Sequence, residues 1–176
     1  IIAIIVTFLI VGSFSKGFIY VLIFLSIGGI TGSIIAFKIP MTAMPQLVAG
    51  FHSLVGLAAV FVAAAAFYDP ASFNIGQVGS IKSSSLVEMS IGTLIGAITF
   101  SGSILAFGKL QGFISGKPIV FKFQHLTNAL IFLFILFLII VFILNQSPSI
   151  FWSIVIISVI LGILVVIPIG GADMPV

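Results

Sequence analysis

Apolar runs long enough to cross a bilayer recur along this chain, and no other feature limits its fold as strongly. A membrane span needs about 20 consecutive apolar residues. Such runs occupy residues 18–37, 46–68, 86–107, 127–145 and 150–168, and residues 1–11 read as the tail of a further span whose beginning is missing. Asp173-Met174-Pro175 marks the start of a seventh. Of the 176 residues, 61% are apolar and only 5% charged. A water-soluble domain carries roughly a quarter of its residues charged, so so few cannot cover a soluble surface of this size. Backbone groups in hydrocarbon must bond internally, and no period-two alternation marks barrel strands. The expected fold is therefore all-α: a polytopic transmembrane helix bundle of about six spans, the first truncated, with residues 1–176 forming one membrane domain. The chain starts at Ile1 within an apolar run and ends at Val176 just past a loop, which reads as a piece of a longer protein cut at both ends.

The net charge of +3 does not point to nucleic acid. The cations are scattered lysines with no stripe to follow phosphates, so no nucleic-acid partner is expected. The chain has no cysteine, which excludes disulfides, thiolate metal sites and cysteine nucleophiles. The lysines report orientation instead. Lys38, Lys109, Lys117 and Lys122 fall on one side, Lys16 and Lys82 on the other. The positive-inside rule assigns the first group to the inner side of the membrane.

Helices in lipid associate where small residues let backbones approach. The second span carries Gly28-x-x-x-Gly32, the third Gly56, Ala59 and Ala63, and the fourth Gly92-x-x-x-Gly96. The fifth, Leu, Ile and Phe nearly all round, suits a lipid-facing periphery. The second, third and fourth spans are thus expected to form the working core.

Ionisable groups inside a membrane are costly and by default mark pathways or relays. His52 lies six residues after Gln46, about 9 Å into the third span. Gly56, Ala59 and Ala63 follow it on the helix, so it is expected to point into a helix contact. Ser101 and Ser103 offer hydroxyls at comparable depth in the fourth span. Two readings of His52 stay open: a proton relay, since imidazole titrates near neutrality and carries protons on two nitrogens, or neutral interhelical glue. Glu88 sits near the outer end of the fourth span, either as the mouth of the same route or as an interfacial carboxylate favoured by the helix dipole; Lys82 is its nearby candidate partner. Asp173, after Gly170-Gly171, suits a helix N-cap. Lys109, Lys117, Lys122 and His125 are either topology signals or a landing surface for a soluble partner. Asn128 reads as polar glue. No metal site is expected, and Gly28-Gly29 matches no phosphate-binding fingerprint.

Three stretches carry a family resemblance. They are Met41-Thr42-Ala43-Met44-Pro45-Gln46-Leu47-Val48-Ala49 with Phe51-His52-Ser53-Leu54-Val55-Gly56; Ile95-Gly96-Ala97-Ile98-Thr99-Phe100-Ser101-Gly102-Ser103; and Ile169-Gly170-Gly171-Ala172-Asp173-Met174-Pro175-Val176. Together they resemble the membrane part of the β subunit of proton-translocating NAD(P) transhydrogenase. The resemblance implies proton flow across a bacterial inner membrane, coupled to hydride transfer from NADH to NADP⁺ in soluble domains. His52 falls on the family's proton-path histidine, Ser103 and Glu88 on polar positions of that route, and Asp173 on the loop aspartate tied to the NADP(H) domain. It implies partners: the α subunit, the NADP(H)-binding domain, and a second protomer in a dimer. No cofactor is expected to bind this stretch, which is not expected to be catalytic alone; NAD(H) and NADP(H) belong to the assembled enzyme. The rival expectations are an ion or small-solute transporter subunit, or a non-catalytic assembly subunit.

Overall fold

The computed structural model describes residues 17–174. The first expected span, Lys16 and Pro175 lie outside the described residues. Two compact units divide between Thr42 and Ala43. The first contributes one described helix, α1 (Gly17–Lys38). The Thr31 hydroxyl in mid-span donates back to the Ile27 carbonyl at 2.7 Å, which satisfies it without a partner helix.

The second unit holds α2 (Met44–Tyr68), α3 (Ser83–Leu110), α4 (Gln124–Asn145) and α5 (Pro148–Val166). Proline stands in the first turn of α2 and α5, where a missing N–H costs nothing. Left-handed residues bracket α4, Phe123 before it and Gln146 after it. At 1.5 Å per residue the 28 residues of α3 reach about 42 Å, beyond the roughly 30 Å of hydrocarbon. Including α1, five described helices are long and apolar enough to cross a membrane. The all-α bundle read from the hydropathy is the observed architecture.

The four helices of the second unit alternate in direction. At one end the Gln46 amide donates to the Leu110 carbonyl at 3.5 Å, and Lys109 reaches Ile167 and Ile169. At the other, the indole of Trp152 donates to the Tyr68 hydroxyl at 3.0 Å. The Gln146 side chain there accepts from Ile81 N at 3.0 Å and donates to the Ile81 carbonyl at 3.4 Å. By the lysine rule the first end is the inner one. The α2–α3 connection, expected only as a loop, contains a two-residue hairpin, β1 (Gly76–Gln77) against β2 (Ser80–Ile81). Gly76 and Gly79, both at positive φ, make its turn possible.

Packing follows the small residues. A methyl added at Gly56 would fall 2.6 Å from the Gly96 carbonyl oxygen and 2.6 Å from Phe100 N, so the α2 and α3 backbones touch there. A methyl at Gly162 would collide with the Ser101 hydroxyl and lie 2.6 Å from the Ile98 carbonyl, so α5 meets α3 equally closely. Thus α5, the sixth expected span, packs on the fourth and joins the core of this unit. Helix α4 buries only Ile135, Ile139 and Phe142, and stays peripheral as expected. Phe67, Phe142 and Phe151 close the outer end, with ring centroids 5.2–5.8 Å apart.

Candidate functional site

The buried residues of α2 are Ala49, Ser53, Gly56, Val60, Ala63, Ala64, Ala66 and Phe67, a stripe centred between Gly56 and Val60. His52 is not in it. At 100° per residue it lies about 60° from the middle of that stripe. Its side chain is exposed on this unit and makes no hydrogen bond among the described residues. Among the described residues the expected helix contact is therefore not one with α3. Sharing i, i+4 spacing with Gly56 left enough rotation to carry the ring out of the seam. Ser101 is corrected as well: its hydroxyl donates to the Ala97 carbonyl at 3.0 Å and faces Gly162 of α5, not α2.

What the fold does achieve is to set Glu88 and Ser103 on one face of α3, with His52 in an α2 row that reaches the Glu88 cavity. Along α2, His52, Ala59 and Ala66 recur every seven residues and form one row. Ala59, Ala63 and Ala66 wall a cavity of about 450 Å³ whose α3 wall is Glu88, Met89 and Gly92. Glu88 is the sixth residue of α3, exposed, with its carboxylate still near the positive end of the helix dipole. Lys82 is not its partner: that ammonium donates to the Asn74 carbonyl at 3.4 Å. From Glu88 the same face of α3 continues through Gly92 and Thr99 to Ser103. Thr99 and Ser103 line a second cavity, about 240 Å³, closed by Val166, Ile169 and Met174. His52, Glu88 and Ser103 do not touch one another. About 21 Å of helix separates His52 from Ala66, which walls the Glu88 cavity.

Asp173 ends a short 3-10 turn, Gly171–Asp173, with its N–H donating to the Gly170 carbonyl at 3.1 Å. The helix that it would cap lies outside the described residues, and its carboxylate is exposed. Met174 beside it is buried with Ala49 and Ala106, so the turn is seated one helical turn below His52 and against the Ser103 cavity.

Lys109 departs furthest from expectation. Read as a topology signal or a docking cation, it is 4% exposed, the one buried charged side chain among the described residues. Its ammonium donates to the Ile167 carbonyl at 2.6 Å and the Ile169 carbonyl at 2.7 Å. These carbonyls follow the last turn of α5, where no intrahelical donor remains and the helix dipole is negative. The available signal was positional: a lysine at the end of one helix and a proline-glycine exit from another are separated by about 60 residues of sequence. By contrast Lys122 lies over the Phe123 ring, 5.3 Å from its centroid, and Lys117 and His125 are exposed.

The described residues do not fit a dinucleotide. Gly28 and Gly29 lie inside α1, and the only described strands are two residues long, so no strand–glycine turn–helix cradle for a pyrophosphate exists among them. No three His, Asp or Glu side chains gather among the described residues.

A family profile described as NAD(P) transhydrogenase beta subunit matches residues 1–176. The NAD(P) transhydrogenase subunit beta of Rhodospirillum rubrum is 49% identical over 161 residues, covering 92% of this chain and 35% of that protein. The protein of the same description from a named strain of that organism matches to the same extent. The chain thus spans about a third of the length of these curated relatives.

Proposed function

This chain belongs to the family of NAD(P) transhydrogenase beta subunits, and from that premise we propose that its multi-pass bundle conducts protons across a bacterial inner membrane. The flow is coupled to hydride transfer from NADH to NADP⁺. The hydride step belongs to soluble domains outside this stretch, one binding NAD(H) and one NADP(H), assembled with the α subunit into a dimer of protomers.

One observation supports the reading: Glu88 and Ser103, on one face of α3, each line a cavity, and His52 shares an α2 row with the alanines that wall the first. Each contributes different chemistry. The Glu88 carboxylate collects or releases protons at the outer end. The Ser103 hydroxyl both donates and accepts, and so orients a water file at the inner end. The His52 imidazole offers two nitrogens, either of which can carry the proton. Hydrocarbon around the seam restricts protons to this row. Asp173, seated against the Ser103 cavity through Met174, is the contact toward the NADP(H) domain. The described helices contain no interior proline or unwound stretch, which disfavours a solute carrier with a midplane site at broken helices.

The test is His52→Ala in the complete enzyme in sealed vesicles, with hydride transfer and vesicle pH followed together. Proton movement per hydride should fall at least tenfold, in line with loss of a positioned acid–base group. Undiminished pumping would reject the relay.

A further inference from the structure

We propose that Lys109 is a positioning residue that binds the inner end of α3 and the Asp173 turn into one body, so that a change at the Ser103 cavity displaces Asp173. The inference rests on the proton-conducting reading above and adds to it the part that carries the signal out of the membrane.

The connection runs through named contacts. Ser103 and Lys109 stand on the same helix. Ile169 is held by the Lys109 ammonium through its carbonyl, and its side chain walls the Ser103 cavity. One residue further, the Gly170 carbonyl accepts from Asp173 N. A second contact reinforces the first: Gly171 N donates to the Gly116 carbonyl at 2.8 Å, and a methyl at Gly171 would lie 3.3 Å from Gly116 Cα. Gly116 itself belongs to the segment that leaves α3. The Ile167 carbonyl accepts from both Lys109 and, at 3.3 Å, Ile119 N of that segment. A buried ammonium does not give up two short bonds to carbonyls easily, because nothing nearby in an apolar setting replaces them. The turn therefore follows α3 instead of moving freely.

A simple topology signal would need none of this; an exposed lysine serves that purpose. Nor does Lys109 line the Ser103 cavity or the one holding Glu88, so it is not a member of the proton row.

The test uses the complete enzyme in sealed vesicles, reading protons moved per hydride and the KM for NADP(H). Lys109→Gln shortens the side chain and removes the charge. It should lower the proton-to-hydride ratio about tenfold, within the range by which residues between two sites alter their coupling. Lys109→Arg, which keeps the charge and can donate to both carbonyls, should restore most of it. A purely structural lysine would lower assembled enzyme and all rates together and leave ratio and KM unchanged; that result overturns the proposal. Gly116→Cys with Gly171→Cys, oxidised to a disulfide with diamide, gives a second arm in a chain that has no cysteine of its own. With Lys109 intact the lock should leave the ratio unchanged, and in the Lys109→Gln background it should rescue it until reduced. Arrest of the otherwise unaltered enzyme by the lock would mean that the turn must part from α3, and would also overturn the proposal. Absence of proton movement in the unmodified enzyme would instead reject the proton-conducting reading itself.

Discussion

Gly92 and Gly96 stand one turn apart on α3 and meet opposite surroundings. A methyl at Gly96 would lie 2.8 Å from the Gly56 carbonyl and 3.0 Å from Ala59 Cβ, whereas at Gly92 it would meet nothing within 4 Å. One glycine closes the seam, and the other borders the space beside Glu88. A small residue in a membrane helix therefore has two uses: it lets a backbone come near, or it leaves room. Spacing does not distinguish them, since Gly92-x-x-x-Gly96 contains one of each.

The sharpest way to break this contrast is Gly56→Leu. The added side chain points at backbone atoms of α3 that cannot rotate away, and the expected loss is more than about 3 kcal/mol, the upper end of overpacking. It should appear as failure to recover folded protein in detergent. Phe151→Ala probes the outer end, where side chains and not backbones make the contact. Its expected cost is about 2 kcal/mol by detergent unfolding, below the range for soluble cores. The reason is that lipid solvates a phenyl ring as well as protein does, so only the packing loss remains. Gly92→Ala should change stability least, by within about 1 kcal/mol and in the stabilising direction, because alanine favours the helix. If the space at Gly92 holds water for proton passage, pumping should fall in that variant while its unfolding midpoint does not. Equal loss of both would erase the distinction between the two glycines.

The inner and outer ends of the unit differed in how readable they were. Pro45 in the first turn of α2 and the peripheral character of α4 could be taken from residue type and spacing, because each depends on one helix's own chemistry. His52 could be picked out as the ionisable group within a span, but not its orientation. A rotation of about 60° separates a buried position from an exposed one, and four-residue spacing tolerates that much. Glu88, Ser103 and Asp173 were likewise recognisable one by one, while the two cavities beside them required knowing which helices adjoin.

Hydropathy alone settled that this chain spans a membrane as helices, since a backbone in oil has almost no other way to satisfy its hydrogen bonds. Which helix lies against which could not be read that way. No span here carries a strong amphipathic stripe, and in lipid none is needed to direct packing. The pairing of α3 with α5, and with it the burial of Lys109 under the carbonyls of Ile167 and Ile169, came from shape. Close fit between particular surfaces decided it, and that exists only once the helices have met.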